Sequence, residues 1–183
     1  TGVQTCALPI SAEGMHADAM AGATKALSLP AMSDAKRRAH AQYAVGHVAL
    51  AAGKRDEAQR AFDQALQADA RQAAAAVALA GLWQERHEPE KALGALMVAK
   101  AAGAESAALE AALAVHAWTQ GDVALAQSRA TDALRIDPSN VDAKQVLGWA
   151  FLAQQRWGDA AQRLDEVAAA HPKDADIQAA LGY

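Results

Sequence analysis

Apolar and small residues recur along the chain with a period of 34 positions. Repeating units of this length begin at Ala39, Ala73, Ala107 and Val141, with a partial unit at Ala175. The seventh position of each unit is aliphatic: Val45, Leu79, Leu113, Leu147 and Leu181. The twentieth position is alanine in the four complete units: Ala58, Ala92, Ala126 and Ala160. A period of this length is typical of arrays in which one supersecondary unit stacks on the next.

Within each unit, the pattern predicts two helices joined by a short turn. Positions 4, 7, 8 and 11 lie on one side of a first helix, because the α-helix repeats every 3.6 residues. Position 8 is always small, which predicts a close approach to the second helix: Gly46, Ala80, Ala114, Gly148 and Gly182. Glycine commonly ends helices and proline commonly starts them. Turns are therefore predicted at Gly53-Lys54, His87-Glu88-Pro89, Gly121-Asp122 and Gln155-Arg156.

These features together resemble the tetratricopeptide repeat, a helix-turn-helix unit of 34 residues. The fourth unit carries the resemblance best, with Leu147-Gly148, Phe151, Ala160, Leu164 and Pro172 at the positions that the family favours. The resemblance implies an all-α fold, a right-handed α-solenoid of stacked antiparallel helix pairs. The family's frequent aromatic residue at position 4 is replaced here by Gln42, Ala76, Glu110 and Lys144.

The four units divide the chain into residues 39–72, 73–106, 107–140 and 141–174, and both ends fall outside them. Residues 1–10, TGVQTCALPI, resemble the translation of a sequencing-library adapter, so we expect them not to be natural. Residues 11–38 are predicted as an N-terminal helix and a linker; the helix is either a degenerate unit or an added cap. Residues 175–183 begin a truncated fifth unit, so we expect a fragment of a larger, bacterial protein whose compartment, cytoplasm or periplasm, stays open.

Composition supports the helical prediction and excludes several kinds of protein. Alanine makes up 53 of the 183 residues, and alanine has the highest helix propensity. With 17 basic and 21 acidic residues, the net charge of −4 provides no overall attraction for nucleic acid. No run of apolar residues is long enough to predict a membrane-spanning segment. Cys6 is the single cysteine, and no Cys/His spacing suits zinc.

No motif in the sequence predicts catalysis. The segment from Gly46 to Lys54 departs from a phosphate-binding loop, because six residues separate its glycines where four are needed. His87-Glu88 lacks the second histidine of a zinc-protease helix, and the carboxylates are too scattered to nominate an acid–base pair. We therefore predict no enzyme, no catalytic residue, no cofactor and no metal site.

A second line of positions on the first helix of each unit predicts a binding surface. In proteins that this chain resembles, positions 2, 5, 9 and 12 line a concave groove that receives a peptide. The resemblance implies the following groove residues: His40, Tyr43, His47, Leu50, Val77, Gln84, Val115, Trp118, Gln145, Trp149 and Leu152. Trp118 and Trp149 are the predicted anchors, since tryptophans are frequent hot spots of binding. The alternative is that these two rings pack between neighbouring units.

The remaining aromatic residues receive separate predictions. Trp83 lies on the packing line of its helix and is predicted to be core, and Trp157 is predicted to cover the contact between two helices. His40, Tyr43 and His47 share one side of a helix, where a polar or metal-binding edge is the functional alternative. Metal binding is disfavoured there, because helical metal pairs are commonly four residues apart.

The groove residues also predict the character of the partner. Co-chaperones of the resembled family hold acidic tails with Lys, Asn and Arg at set groove positions, whereas this chain has Tyr43, His47, Ala108 and Ala112 there. A carboxylate clamp is thus absent, and the predicted ligand is an apolar or amphipathic protein segment. We predict a non-enzymatic scaffold that binds such a segment and assembles a complex. The alternative is the interaction region of a larger protease, transferase or glycosyltransferase whose catalytic domain lies outside this sequence.

Overall fold

The computed structural model describes residues 34–170, together with Ala21, Gly22 and Lys25, whose backbone is helical. Residues 34–170 form eight α-helices and no strand, so the all-α prediction is confirmed for this part of the chain. The helices are α1 (Ala35–Ala51), α2 (Arg55–Ala68), α3 (Ala73–Glu85), α4 (Pro89–Ala101), α5 (Ala107–Thr119), α6 (Val123–Ile136), α7 (Val141–Ala153) and α8 (Trp157–Ala170). The adapter-like segment, most of the N-terminal helix predicted before the first unit and the start of the fifth unit lie outside the described residues.

Consecutive helices pack in pairs, α1 with α2, α3 with α4, α5 with α6 and α7 with α8. Helices α3, α5 and α7 begin at Ala73, Ala107 and Val141, the first positions of their repeating units. Helix α1 begins earlier, at Ala35, where the Asp34 side chain accepts a hydrogen bond from the backbone N–H of Lys36 at 3.0 Å. Such a side-chain cap satisfies one of the free N–H groups at a helix start.

The turns inside the pairs lie where the sequence predicts them, and all four use the left-handed backbone region. Glycine occupies this conformation in two of them, at Gly53 and Gly121, with φ of 74° and 78°. His87 and Gln155 occupy it in the other two, with φ of 59° and 60°. A side chain in this region costs about 1 kcal/mol or more, so packing of the two helices must offset the strain in the second and fourth pairs.

Small residues allow the two helices of each pair to approach closely. The alanines at position 20 have no exposed surface: Ala58, Ala92, Ala126 and Ala160. In the fourth pair, a methyl group placed at Gly148 would lie 2.6 Å from Cδ2 of Leu164. In the first pair, a methyl group at Gly46 would lie 2.6 Å from Cδ1 of Phe62. Phe62 and Leu164 are themselves fully buried, so larger side chains at these glycines would require the core to shift.

Neighbouring pairs stack through the second helix of one pair and the first helix of the next, α2 on α3, α4 on α5 and α6 on α7. Helix α3 contacts α5 directly, and α5 contacts α7. Successive second helices, from α2 to α8, contact one another less than α3, α5 and α7 do. The first helices therefore form an inner row and the second helices an outer row, as in a solenoid. No described helix has the length and apolar character that crossing a bilayer requires.

Charged residues replace the aromatic residue at position 4 in the third and fourth units, and both are held by ion pairs. Glu110 is only 3% exposed and binds Lys100 of α4 and Arg129 of α6, the latter at 3.2 Å. Lys144 of α7 binds Glu166 of α8 at 2.6 Å. A buried charge is tolerated when opposite charges satisfy it. These ion pairs therefore occupy positions that aromatic packing fills elsewhere in the resembled family.

Enlarging a position-20 alanine is expected to destabilise the fold. The Ala126→Phe variant should lower the free energy of unfolding by about 1–3 kcal/mol, because α5 and α6 have no room for a ring between them. Urea denaturation followed by circular dichroism measures this loss. Ala124→Phe is the matched control, since Ala124 is exposed on the same helix. Equal losses in the two variants would contradict the close approach.

The Lys144–Glu166 ion pair is expected to give a pH-dependent contribution to stability. The hydrogen bond from Lys144 holds the pKa of the Glu166 carboxyl below its ordinary value of 4.5. The contribution is therefore present above that value and disappears as the pH falls through the lower folded-state pKa. The difference in urea midpoint between wild type and Glu166→Gln should shrink from pH 7 towards pH 3. Asp165→Asn, which removes an exposed carboxylate of the same helix, should show a smaller change; equal changes would contradict the assignment.

Candidate functional site

The predicted groove residues all lie on the first helices, which form the inner row of the solenoid. His40 and His47 are exposed, and the other nine residues are half-buried: Tyr43, Leu50, Val77, Gln84, Val115, Trp118, Gln145, Trp149 and Leu152. None of the eleven is fully buried, so each retains surface with which a partner could make contact. We call the surface formed by these eleven residues the inner face.

The first-unit end of the inner face is an aromatic cluster packed on the core. The rings of Tyr43 and His47 meet edge to face with centroids 4.5 Å apart, and Phe62 lies within 6 Å of both. The Nδ1 atom of His40 is 3.2 Å from the side-chain amide of Gln72. The described residues include no group of three or more His, Cys, Asp or Glu side chains placed to hold a metal. These histidines therefore interact with an amide and with aromatic rings.

The opposite end of the inner face carries two stacked tryptophans from neighbouring units. The ring centroids of Trp118 on α5 and Trp149 on α7 are 5.8 Å apart, and the ring planes differ by 25°. Such an offset pair contributes about 0.5–1.5 kcal/mol beyond the area that it buries. Both rings are half-buried, so they join two units while part of each indole stays accessible. Packing between neighbouring units and contact with a partner, the two alternatives for these residues, are thus compatible with each other.

The inner face carries little charge. Asp142, which follows the same line of positions, is exposed on α7. The positions at which the resembled co-chaperones place cationic residues hold Tyr43 and His47, then Ala108 and Ala112. Apolar and aromatic side chains therefore provide most of the inner face.

Two predictions about other tryptophans need correction. Trp157 is 63% exposed and does not cover the contact between α7 and α8. Trp157 lies before Ala160, the first buried residue of α8. The ring of Phe151 on α7 is contacted by the Arg156 guanidinium, which lies 4.3 Å from the ring centroid. Trp83 packs against the buried core of the first two pairs but is itself only half-buried, and the Lys91 ammonium lies 4.5 Å from the centre of its ring.

The structure also places two histidines for which the sequence offers no motif. His116 is 8% exposed on α5, and its Nδ1 atom has no hydrogen-bond partner among the described residues. His87 is exposed in a turn, as its position between two helices predicts. The burial of His116 could not be predicted, because position 10 follows neither the packing line nor the groove line.

Comparison with known proteins matches part of the chain to a repeat family. The family model described as tetratricopeptide repeat matches residues 117–182, which extend from the end of α5 beyond α8. No curated protein sequence matches the chain. The residues matched by the model include much of the third unit and the whole of the fourth, where the sequence pattern is clearest.

Several solved structures are similar to the chain over most of its length. TTC0263, a thermophilic TPR protein of Thermus thermophilus, is 17% identical with a TM-score of 0.64, covering 91% of this chain and 88% of its own. YrrB, described as a TPR protein with an unusual peptide-binding site, is 22% identical with a TM-score of 0.61, covering 93% and 86%. PilF of Pseudomonas aeruginosa is 20% identical with a TM-score of 0.74, covering 91% and 74%. Likeness at these identities shows the fold.

The stacked tryptophans are expected to be energetically coupled. Trp118→Ala and Trp149→Ala together should cost less stability than the sum of the single variants, by about 0.5–1.5 kcal/mol, because either substitution removes the same stack. Urea denaturation of the four chains of this cycle measures the coupling. Trp157→Ala is the control, with a change of about 0.5 kcal/mol or less, since its ring is exposed. Additive costs for Trp118 and Trp149 would contradict the stack.

Proposed function

We propose that this tetratricopeptide-repeat chain is a non-enzymatic scaffold that binds a segment of a partner protein on its inner face and so assembles a complex. The repeat fold is in general a scaffold for protein–protein interaction. The observation that carries the proposal is the Trp118–Trp149 stack, which leaves part of two indole rings accessible on the inner row of helices. Tryptophans in such positions provide much apolar contact for little loss of side-chain entropy.

The chemistry of the inner face favours an apolar or amphipathic segment. Val115 and Leu152 are half-buried on the same face as the tryptophans, and neither lysine nor arginine is among its eleven residues. An acidic peptide would find no permanently charged cation there. The segment would therefore bind through apolar side chains placed on the indole rings, with polar contacts to Gln84 and Gln145.

Gly81 gives the inner face free space next to these side chains. It lies in the middle of α3 on the groove line, and a methyl group added there would have no neighbour within 4 Å. The backbone is thus accessible between the aromatic cluster of the first unit and the tryptophan stack. An extended or helical segment could follow the inner face without meeting a side chain at this point.

Binding on the inner face can be tested with peptides selected from a displayed random library against the full chain. We expect selected peptides rich in aromatic and aliphatic residues, and an affinity at least about tenfold lower for the Trp118→Ala/Trp149→Ala variant, since loss of a hot spot costs about 1.4 kcal/mol or more. Gly81→Leu should lower the affinity for the same peptides, because the leucine side chain occupies the free space. This second variant retains the tryptophan stack and improves helix propensity, so a folding defect does not explain its effect.

Trp157→Ala is the matched control, because it removes an exposed tryptophan away from the inner face. Its affinity for the selected peptides should equal that of the wild-type chain. Peptides that bind both inner-face variants as tightly as the wild type would overturn the proposal. The alternative is that the array is the interaction region of a longer enzyme. The same experiment tests binding on the inner face in that case too.

A further inference from the structure

A second concave site lies on the outer side of the first two helix pairs. It is a cavity of about 380 Å³ between α2 and α4, with α3 beneath them. Its apolar lining includes Leu66, Leu79, Ala95, Val98 and the indole of Trp83. None of the inner-face residues lines it, so this site is separate from the proposed groove.

The cavity is open and keeps apolar surface in contact with solvent. Val98 on its wall is 47% exposed, and the adjacent Met97 is 45% exposed. A methyl group added at Gly94, another lining residue, would have no neighbour within 4 Å. The outer wall therefore has room for an aliphatic side chain supplied by another molecule.

One carboxylate in the lining lacks a countercharge. Asp63 has no ion-pair partner among the described residues, and burial raises the pKa of its carboxyl, which only a hydrogen bond from Gln59 counteracts. Gln59 is itself held by Arg86, whose Nη1 atom donates a 2.8 Å hydrogen bond to Oε1. This network fixes the position of the carboxylate without neutralising it.

The lining cation Lys91 already has partners, and so does Arg86, which holds Gln59. Lys91 is ion-paired with Glu88, and its ammonium lies over the ring of Trp83. Arg86 is ion-paired with Asp56 at 2.5 Å. Among the described charges that border the cavity, Asp63 is therefore the unpaired one. A partly desolvated carboxylate gains most from a cation that also brings hydrogen-bond donors.

We propose that this cavity is a second docking site, which receives a helix of a partner protein carrying an aliphatic side chain one turn away from a lysine or arginine. The aliphatic group lies on Leu66, Ala95 and Val98, and the cation pairs with Asp63. Because residues four apart share a face of a helix, one partner helix can place both groups at once. The site uses charge complementarity that the inner face lacks.

Three short helical peptides test the proposal against the full chain. They are identical except at one position, four residues after a leucine, which holds lysine, norleucine or glutamate. Fluorescence anisotropy should show the lysine peptide binding about two- to fivefold more tightly than the norleucine peptide, because an ion pair that solvent partly reaches contributes up to about a factor of five in affinity. The glutamate peptide should bind most weakly.

Two variants separate the two parts of the recognition. Asp63→Asn should remove the preference for lysine over norleucine while leaving norleucine binding unchanged. Gly94→Leu should lower the affinity for all three peptides, because the leucine side chain fills the cavity. The substitution replaces an exposed helical glycine, so the fold is retained. The Trp118→Ala/Trp149→Ala variant should bind all three as the wild type does, which distinguishes this site from the inner face.

Several results would overturn the proposal. Binding of none of the peptides, equal binding of the lysine and glutamate peptides, or an undiminished lysine preference in Asp63→Asn would each exclude it. Loss of binding in the tryptophan variant instead of Gly94→Leu would assign the peptides to the inner face. That last outcome would support the proposed function and reject the second site.

Discussion

Every pair in this solenoid relies on the close approach of its two helices. The approach is possible only because position 8 is glycine or alanine and position 20 is alanine, as at Gly148 and Ala160. A single methyl group at Gly148 would collide with Leu164, which has no exposed surface to yield. Each pair thereby buries one side of both helices, and its other sides are left for stacking and for binding.

Stacking of the pairs depends on contacts that differ from unit to unit. Between the second and third pairs, the Glu110 carboxylate joins Lys100 and Arg129 in place of an aromatic side chain. Between the third and fourth pairs, the Trp118–Trp149 stack joins α5 to α7. A solenoid is stable only as far as such neighbour contacts hold, since no unit buries its apolar surface alone. Residues proposed for binding thus also stabilise the array.

The two proposed surfaces differ in their chemistry because they lie on different rows of helices. The inner face is formed by first helices whose outward positions are mostly apolar or aromatic. The outer cavity lies between second helices, which carry most of the charged side chains near it, including Asp63 and Lys91. A scaffold with two such surfaces could hold an apolar segment on one side and a basic amphipathic helix on the other.

The elements of the fold could be predicted from the amino-acid sequence: the 34-residue period, the turns at residues such as Gly121, the small residues between paired helices and the line of positions that forms the inner face. The helices, the turns and the small packing positions follow from helix periodicity and turn chemistry, which act over a few residues, whereas the inner face was implied by the resemblance to a repeat family. The three-dimensional packing was needed to learn that Trp157 is exposed, that Glu110 is buried with two cations and that Asp63 lines an apolar cavity unpaired. Those properties depend on the distances between helices that are far apart along the chain, and no local pattern specifies such distances.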